Sequence, residues 1–372
     1  METLCLGRHL AGASRIALGC MRMASHSLQE ASQVLGTARQ VGIKDVAARA
    51  GVSVGTVSNV LNHPGAVSQE RRRAVESAIR ELGYVPNHAA RQLKVGLSTM
   101  LGLVIVEACN PYYGTIGLGA EQAAARAGLG LFSASSEQNA EREADYLHRF
   151  EQQRARGILL APVGTELQTA REVADRGTPV VLLDADDPHF CRVGVDDYVG
   201  GRLAAQHLID LGRRRIAVVG EPSRHPQVVR RHYGALAAAE ERPRVRIDFL
   251  STRDMTILEG RRIGELLAAR PRTERPDALF ATNDLLAIGL LQALTMARTF
   301  RIPEDIAIIG YDDIDFCTNA VVALSSVAQP APRIGATGVE LVEEELEETV
   351  GHEHRRVLLP PTLMARASTL GE

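Results

Sequence analysis

From residue 99 onward, short apolar runs rich in Val, Ile and Leu alternate with segments of helical periodicity, and this alternation limits the possible folds. Apolar runs that are each followed by an amphipathic helix are typical of parallel β-sheets built from βαβ units. The predicted strands are Met100–Val106, Leu129–Ala134, Gly157–Pro162, Pro179–Asp184, Ile216–Gly220, Val245–Leu250, Ala278–Thr282 and Ile306–Gly310. More than 270 residues exceed what one sheet usually takes, so we expect two lobes. A ligand should then lie beyond the carboxyl ends of the strands, in the cleft between the lobes.

Residues 41–85 instead show the periodicity of three short helices. The first helix has one apolar face, with apolar residues at positions i, i+3, i+4 and i+7: Ile43, Val46, Ala47 and Ala50. Ser53 follows a turn and can cap the second helix, which ends at the break formed by Asn62–Gly65. Ser68 opens a third helix, and Gly83 is its expected stop. These helices predict a small separate domain.

The spacing within this small domain is typical of a helix-turn-helix. Ala47 is the small residue where two helices cross, Gly51 makes the turn, and Val57 and Val60 form the buried face of the second helix. The outward face of that helix then presents Val54, Gly55, Thr56, Ser58 and Asn59. An asparagine can read base edges, and the hydroxyls can reach phosphates. At this stage a helical bundle that contacts no DNA remains an alternative.

The charge of the chain is distributed unevenly. Residues 41–96 carry eight basic and four acidic residues, and residues 1–40 carry four and two. The remainder carries thirty and thirty-nine, so a basic amino-terminal region precedes an acidic body. This asymmetry indicates a nucleic-acid contact at one end only, although ordinary surface charge is the alternative.

Residues 1–40 show no sustained period, and we expect a disordered leader. Ala17–Cys20 resembles a lipoprotein cleavage site, which would mean export, but Arg15 interrupts the apolar segment. The odd number and wide spacing of the cysteines fit a reducing cytoplasm: Cys5, Cys20, Cys109, Cys191 and Cys317. No uncharged apolar run reaches about 18 residues, so we expect a cytoplasmic protein without membrane contact.

The segment Ile43–Asn62, IKDVAARAGVSVGTVSNVLN, resembles the head of the lactose- and purine-repressor family. The similarity continues through 67–68, 81–87 and 90–93, and it extends over about 43–370. It implies an all-α helix-turn-helix head with a hinge helix, and an α/β body of two parallel-sheet lobes that resembles a periplasmic binding protein. The implied domains are the head at 41–85, the hinge helix and linker at 86–97, and the body at 98–372, with an N-lobe of about 98–196 and 329–347 and a C-lobe of about 197–328 and 348–372.

The resemblance assigns the DNA contacts. Val54, Gly55 and Asn59 occupy positions that read operator bases in the major groove. Residues 87–94 match the hinge helix that enters the minor groove, and Leu93 matches the wedge that opens the central base step. Such a wedge costs a few kcal/mol of unstacking and gains a bent duplex that contacts more protein. The full predicted set is Val54, Gly55, Thr56, Ser58, Asn59, Asn62, Asn87, Ala90, Leu93 and Lys94.

The resemblance also implies an effector site. Asn110–Tyr113 matches the loop that begins one wall of the cleft, Val195–Asp197 the first inter-lobe crossing, and Ser326–Pro330 the return crossing. The predicted ligand contacts are Tyr112, Arg231, Met255, Asn283, Asp312 and Gln329. An arginine that faces a carboxylate can hold vicinal hydroxyls. Asn283 and Asp313 could instead be a helix cap and a strand-end residue with no ligand role.

Met255 stands where several relatives place an aromatic side chain that stacks on the ligand. Methionine still offers an apolar, polarisable wall, but the ligand need not be a flat ring. Val106-Glu107 also replaces the more usual Pro-Asp. The class of ligand therefore stays open, with a sugar or related metabolite favoured.

The implied function is a DNA-binding regulator, a repressor, that binds a palindromic operator as a homodimer under the control of a small ligand. A tetramer is an open alternative, and the Glu343–Glu348 run is interpreted as a solvated helix face. No cofactor and no metal are expected.

An enzyme is disfavoured because the sequence has no G-x-S-x-G elbow, Walker loop or H-E-x-x-H, and no obvious metal cluster among its histidines. Asp184, Asp186 and Asp187 are interpreted as an acidic loop. A periplasmic solute-binding protein would lack the head and need export.

Overall fold

The structure is a computed structural model that describes residues 41–85, 98–222, 225–240, 242–298, 300–347 and 351–371. The chain divides into two compact units, residues 1–95 and 96–372. The leader at 1–40 and the predicted hinge with Asn87, Ala90, Leu93 and Lys94 lie outside the described residues. Within the described part of the chain, no helix combines the length and apolar character needed to cross a membrane.

The first unit confirms the three predicted helices, α1 (Ile43–Ala50), α2 (Val54–Asn62) and α3 (Gln69–Leu82). Its core includes the predicted Val46, Ala47, Val57 and Val60 and, from α3, Val75 and Ala78, each at most 6% exposed. Gly51 ends α1 at a φ of 64°, in the left-handed region that favours glycine. Ser53 Oγ accepts a hydrogen bond from the Thr56 backbone N–H at 3.1 Å and caps α2 as expected.

The first lobe of the second unit is a parallel sheet with helices on both faces. Its strands are β1 (Met100–Ile105), β2 (Gly130–Ser135), β3 (Ile158–Leu160), β4 (Val180–Leu183), β5 (Cys191–Val195) and β11 (Arg356–Leu359). Its helices are α4 (Pro111–Arg126), α5 (Ala140–Gln152), α6 (Gln168–Asp175) and α11 (Ala331–Glu347). The strand order is β2-β1-β3-β4-β5-β11, the order of a doubly wound fold.

The second lobe repeats this topology. Its strands are β6 (Arg215–Gly220), β7 (Arg246–Ser251), β8 (Ala278–Ala281), β9 (Ala307–Asp312), β10 (Ser325–Ala328) and β12 (Thr362–Met364). Its helices are α7 (Asp197–Asp210), α8 (Pro226–Glu240), α9 (Ile257–Ala269), α10 (Asp284–Met296) and α12 (Ala367–Leu370). The order is β7-β6-β8-β9-β10-β12, and β12 alone runs antiparallel to its neighbour.

All eight predicted strands are present, and the chain passes between the lobes at the two predicted crossings, after β5 and after β10. The assignment of all of 348–372 to the C-lobe is wrong. Arg356–Leu359 pairs in parallel with β5 of the first sheet, so the chain crosses a third time at Pro360–Pro361. The added strand covers the open edge of β5, whose backbone groups would otherwise lack sheet partners.

Candidate effector site and nucleic-acid interface

The carboxyl ends of both sheets meet at the cleft between the lobes, and the structure brings together there all six side chains predicted to contact an effector. They line one cavity of about 70 Å³: Tyr112, Arg231, Met255, Asn283, Asp312 and Gln329. A larger chamber of about 260 Å³ shares part of its wall, including Tyr113 and Asp184. Their contact with a ligand stays a prediction, but their convergence fits the rule that ligands bind at strand carboxyl ends.

Arg231 is the best-fixed side chain of the cavity. It extends from α8, is 7% exposed, and its guanidinium lies 3.7 Å from the centre of the buried Tyr311 ring. Its Nε donates to Asp197 Oδ1 at 2.8 Å, and its Nη1 donates to the Thr282 carbonyl at 2.5 Å. Burial alone lowers the pKa of Arg231, but the charges of Asp197, Tyr311 and Asp312 more than reverse this effect. A cation held on two sides and stacked on a ring is preorganised to donate its remaining N–H groups.

Two carboxyl groups, the buried Asp312 and the half-buried Asp184, face the same cavity from opposite lobes. Asp312 ends β9 and accepts a hydrogen bond from Gln329 Nε2 at 2.7 Å; Asp184 follows β4 and accepts one from the Tyr112 hydroxyl. Burial raises the pKa of Asp312 well above its usual range. Burial also raises the pKa of Asp184 to about 7, although the hydrogen bond from Tyr112 and the charge of Arg231 lower it. Hydroxyl groups of a ligand would supply the hydrogen bonds that such carboxylates need.

Asp184 is the main residue that sequence reasoning missed, because it was assigned to an acidic loop. Asp184 has a φ of 53° and Asp312 has a φ of 111°. Both values lie in the region that non-glycine residues rarely adopt. Strained residues of this kind cluster at ligand sites. The available signal was its position as the last residue of a predicted strand, on the edge where ligands bind.

Asn283 and Asp313, the two residues with an open structural alternative, differ. Asn283 lines the cavity and also caps α10, since its Oδ1 accepts from the Leu286 N–H at 2.9 Å. Its Nδ2 donates to the carbonyl of Met255, also at 2.9 Å. Asp313 accepts instead from Arg366 Nη1 at 2.6 Å, and this ion pair gives it a structural role.

The segment Asn110–Tyr113, expected to be a loop, is the first turn of a helix. Asn110 Oδ1 accepts from the Tyr112 N–H at 3.1 Å, and Pro111 is the first residue of α4. Proline is well tolerated at this position because its missing N–H would have no helical partner. The helix start fixes Tyr112 against the cleft.

Three side-chain contacts join the lobes around the cavity. Gln227 Nε2 of the second lobe donates to the Asp184 carbonyl at 2.6 Å. Arg230 lies 3.3 Å from Asp186, and Gln138 Nε2 lies 3.3 Å from Asp254 Oδ1. These contacts hold the lobes together at the site where a ligand would touch both.

In the first unit, α2 presents the predicted base-reading residues outward. Val54 is 41% exposed, and Gly55 and Asn59 are also exposed. Thr56 and Asn62 are half-buried and have local partners: the Thr56 hydroxyl lies 3.0 Å from Ser53 Oγ, and Asn62 Nδ2 donates to the Ser58 carbonyl at 2.9 Å. The exposed trio is therefore the part of the predicted set that is most available to a duplex.

Comparison with known proteins covers nearly the whole chain. A family model described as bacterial regulatory proteins of the lacI family matches residues 42–87, and one described as a periplasmic binding protein-like domain matches residues 205–369. The chain is 34% identical to the ribose operon repressor of Bacillus subtilis (strain 168), over 89% of this chain and 99% of that relative.

Two solved structures extend the similarity to three dimensions. A lac repressor dimer bound to operator and the anti-inducer ONPF has a TM-score of 0.78 at 25% identity, over 89% of this chain and 100% of that one. A transcriptional regulator from Enterococcus faecium with bound ribose has a TM-score of 0.65 at 26% identity, over 73% and 98%.

Proposed function

The chain belongs to the lacI family of bacterial regulatory proteins, and from this premise we propose that it is a cytoplasmic repressor that binds a palindromic operator as a homodimer and releases or holds it in response to a sugar. Its relatives are transcriptional repressors, so it is a regulator and not an enzyme. The observation that carries the proposal is the meeting of Arg231, Asp312 and Asp184 in one buried cavity of a chain that also has an exposed helix-turn-helix face.

We propose a monosaccharide, ribose or a related pentose, as the effector. The cavity offers a guanidinium, three carboxyl groups and five side-chain amides within a small volume, which suits several adjacent hydroxyls better than a large apolar ring. The similarity to a ribose operon repressor and to a regulator with bound ribose supports the same class. The Met255 wall can cover one face of the sugar without requiring a flat ligand.

Isothermal titration calorimetry of the full chain with ribose tests this proposal. We expect saturable binding of one ribose per chain, and none of adenine, which has no vicinal hydroxyls for Arg231 and Asp312 to hold. Arg246→Ala is a control in the same lobe as Arg231, because Arg246 is exposed and pairs with Asp248 outside the residues that line the cavity. Binding of adenine but not of ribose or other pentoses would contradict the assignment.

We propose a homodimer for the DNA-bound protein because one small head contacts too few base pairs for tight binding, and two-fold protein symmetry matches an inverted repeat. Exposed apolar side chains on α4, β2 and α9 offer surface for a second copy: Leu118, Phe132, Leu258 and Leu266. Footprinting should show two symmetrical half-sites. A single half-site bound with full affinity would contradict the dimer.

The coupling between effector and operator rests on the two lobes. A ligand that contacts Tyr112 and Asp184 of one lobe and Arg231 and Asp312 of the other favours one arrangement of the lobes. We propose that this arrangement is transmitted through residues 87–94, which would form a helix only with DNA and a partner hinge in place. The same ligand then changes operator affinity.

A further inference from the structure

A group of metal-ligand side chains lies on the first lobe at the edge opposite to the effector cleft. Cys191 begins β5, Glu345 lies in the last turn of α11, and His352 and His354 precede β11. Because β5 and β11 are parallel, both enter the sheet at this amino edge. One ligand atom from each of the four residues lies within 4.8 Å of the others, and Cys191 Sγ is 3.0 Å from His352 Nε2.

The acidic run on α11 is not simply a solvated helix face, as the sequence had indicated. Glu343 forms an ion pair with Arg156 at 2.6 Å, and Glu344 forms one with Arg355. Glu345 turns toward the cysteine and histidines, and its Oε2 is buried without a hydrogen-bond partner among the described residues. A buried carboxylate oxygen with no donor costs free energy, and a cation at this point would satisfy it.

We propose that Cys191, Glu345, His352 and His354 form a Zn²⁺ site. A thiolate, two imidazoles and a carboxylate are the ligand types that zinc takes in four-coordinate sites. Bonds to tetrahedral zinc are about 2.3 Å long from sulfur and about 2.0 to 2.2 Å long from nitrogen or oxygen. Such a zinc ion therefore places its ligand atoms about 3.3 to 3.6 Å apart. The ligand atoms lie within 4.8 Å of one another, so side-chain rotations of the exposed His354 and of Glu345 would have to close only the remaining gap when the metal binds. The soft sulfur and the imidazoles select Zn²⁺ against Mg²⁺ and Ca²⁺, which prefer all-oxygen sites.

Binding releases the thiol proton of Cys191 to solvent as Sγ bonds to the metal, since only the thiolate is a ligand. The Arg355 backbone N–H, which points at Sγ at 3.4 Å, also stabilises the thiolate. The site would connect β5, α11 and β11, three segments that are far apart in sequence. It would therefore stabilise the edge of the first lobe on which β11 depends, independently of the effector cleft.

Cobalt titration of the full chain tests the site. The chelator-treated protein, kept reduced, is titrated with Co²⁺ and then with Zn²⁺. We expect one equivalent of Co²⁺ to give the visible absorption of a tetrahedral complex with a thiolate-to-cobalt charge-transfer band, and Zn²⁺ to abolish both. Mg²⁺ in excess should not compete. Zn²⁺ should also raise the Tm, because a ligand that binds only the folded state stabilises it.

The variants Cys191→Ser and His354→Ala locate the metal. Even outer-shell partners of a metal typically contribute 10–100-fold to affinity, so loss of a direct ligand should weaken Zn²⁺ binding by about 100-fold. His354 is exposed, so His354→Ala keeps the test valid if Cys191→Ser fails to fold. Cys109→Ser, which removes an exposed cysteine outside the cluster, should bind zinc like the unaltered chain. Tetrahedral cobalt spectra retained in both ligand variants, or no binding by the unaltered chain, would overturn the proposal.

Discussion

Helix α2 and the cleft cavity place their predicted functional side chains in opposite environments. Val54 on α2 is 41% exposed, and its neighbour Asn59 is also exposed. In the cavity, Arg231 and Asp312 are each 7% exposed and hydrogen-bonded to neighbouring side chains. The predicted DNA contacts of the helix therefore lie apart from its core, whereas the predicted ligand contacts of the cavity also bond to buried neighbours that stabilise the fold. Substitutions should separate the two cases.

Arg231→Ala should have the largest effect, and it should lower both the free energy of unfolding of the body and its affinity for the effector. It leaves the Asp197 carboxylate buried without its partner, and breaking a buried ion pair costs about 3–5 kcal/mol. Denaturant unfolding should show this loss in the free energy of unfolding of the body, and calorimetry should show no effector binding. Arg246→Ala should change the stability by less than about 1 kcal/mol, because its ion pair with Asp248 is exposed and exposed pairs contribute little. An Arg231→Ala variant of unaltered stability would remove the contrast between cavity and helix.

Leu93→Ala tests the predicted wedge between head and body. Loss of the wedge removes the bend that it supports, worth a few kcal/mol, so we expect operator affinity to fall by about 10- to 100-fold. Affinity for a random duplex should stay nearly unchanged, because phosphate contacts are common to both duplexes. Gel-shift assays on the two duplexes at one fixed salt concentration measure this. Equal losses of affinity for the operator and for the random duplex would show that Leu93 does not open a base step of the operator.

Asn59→Ala should affect binding without affecting stability. A base contact made by asparagine discriminates by about 1–3 kcal/mol, so operator affinity should fall by about 5- to 150-fold. The free energy of unfolding of the head should change by less than about 0.5 kcal/mol, since the side chain is exposed. Ser77→Ala on α3 is the control and should alter neither property measurably. A destabilised Asn59→Ala head would contradict the separation of function from the core of the helix-turn-helix.

The pH dependence of effector binding tests whether the carboxyl group of Asp184 contacts the ligand. Asp184 has a folded-state pKa of about 7 against a usual value near 3.8, so its ionisation lowers the free energy of unfolding as pH rises from about 4 to about 7. A sugar hydroxyl donates best to the ionised carboxylate, so effector affinity should rise by about tenfold between pH 6 and pH 8.

Calorimetry at the two pH values measures this change in affinity. The Asp184→Asn variant should show nearly the same effector affinity at both pH values. The same variant distinguishes Asp184 from Asp312, whose pKa burial also raises, and from the neighbouring Tyr112, Asp197 and Arg231. Affinity that falls with rising pH would mean that the ligand accepts a hydrogen bond from the protonated Asp184 instead of donating one to its carboxylate.

The sequence predicted most of the fold because its strands are local apolar runs. Eight strands and the three helices of the head could each be predicted from a short local pattern of apolar residues and the turn residues that flank it. Cys191–Val195 was missed because an arginine and a glycine interrupt its apolar pattern, and Arg356–Leu359 because only three apolar residues follow its arginine. The membership of β11 in the first sheet depends on a crossing at two prolines that no local pattern reveals.

The sites were predictable only where a motif was continuous. The head motif spans twenty adjacent residues, and the cleft residues followed from family resemblance. Asp184 was missed because its surroundings include two residues of the other lobe: Gln227 donates to its carbonyl, and the charge of Arg231 acts on its carboxyl group. The proximity of Cys191 and His352 could not be read from spacing, since 161 positions separate them and only the pairing of β5 with β11 brings them together.

The most direct test of the link between cavity and head is the operator affinity of the full chain with and without saturating ribose. We expect the affinity to change by about 5- to 150-fold, the usual range of allosteric coupling. Ribose affinity with and without operator should change by the same factor, because linkage between two ligands is reciprocal. Fluorescence anisotropy at fixed salt gives the first ratio, and calorimetry gives the second. Ribose that binds by calorimetry and leaves operator affinity unchanged would contradict the coupling of the two regions.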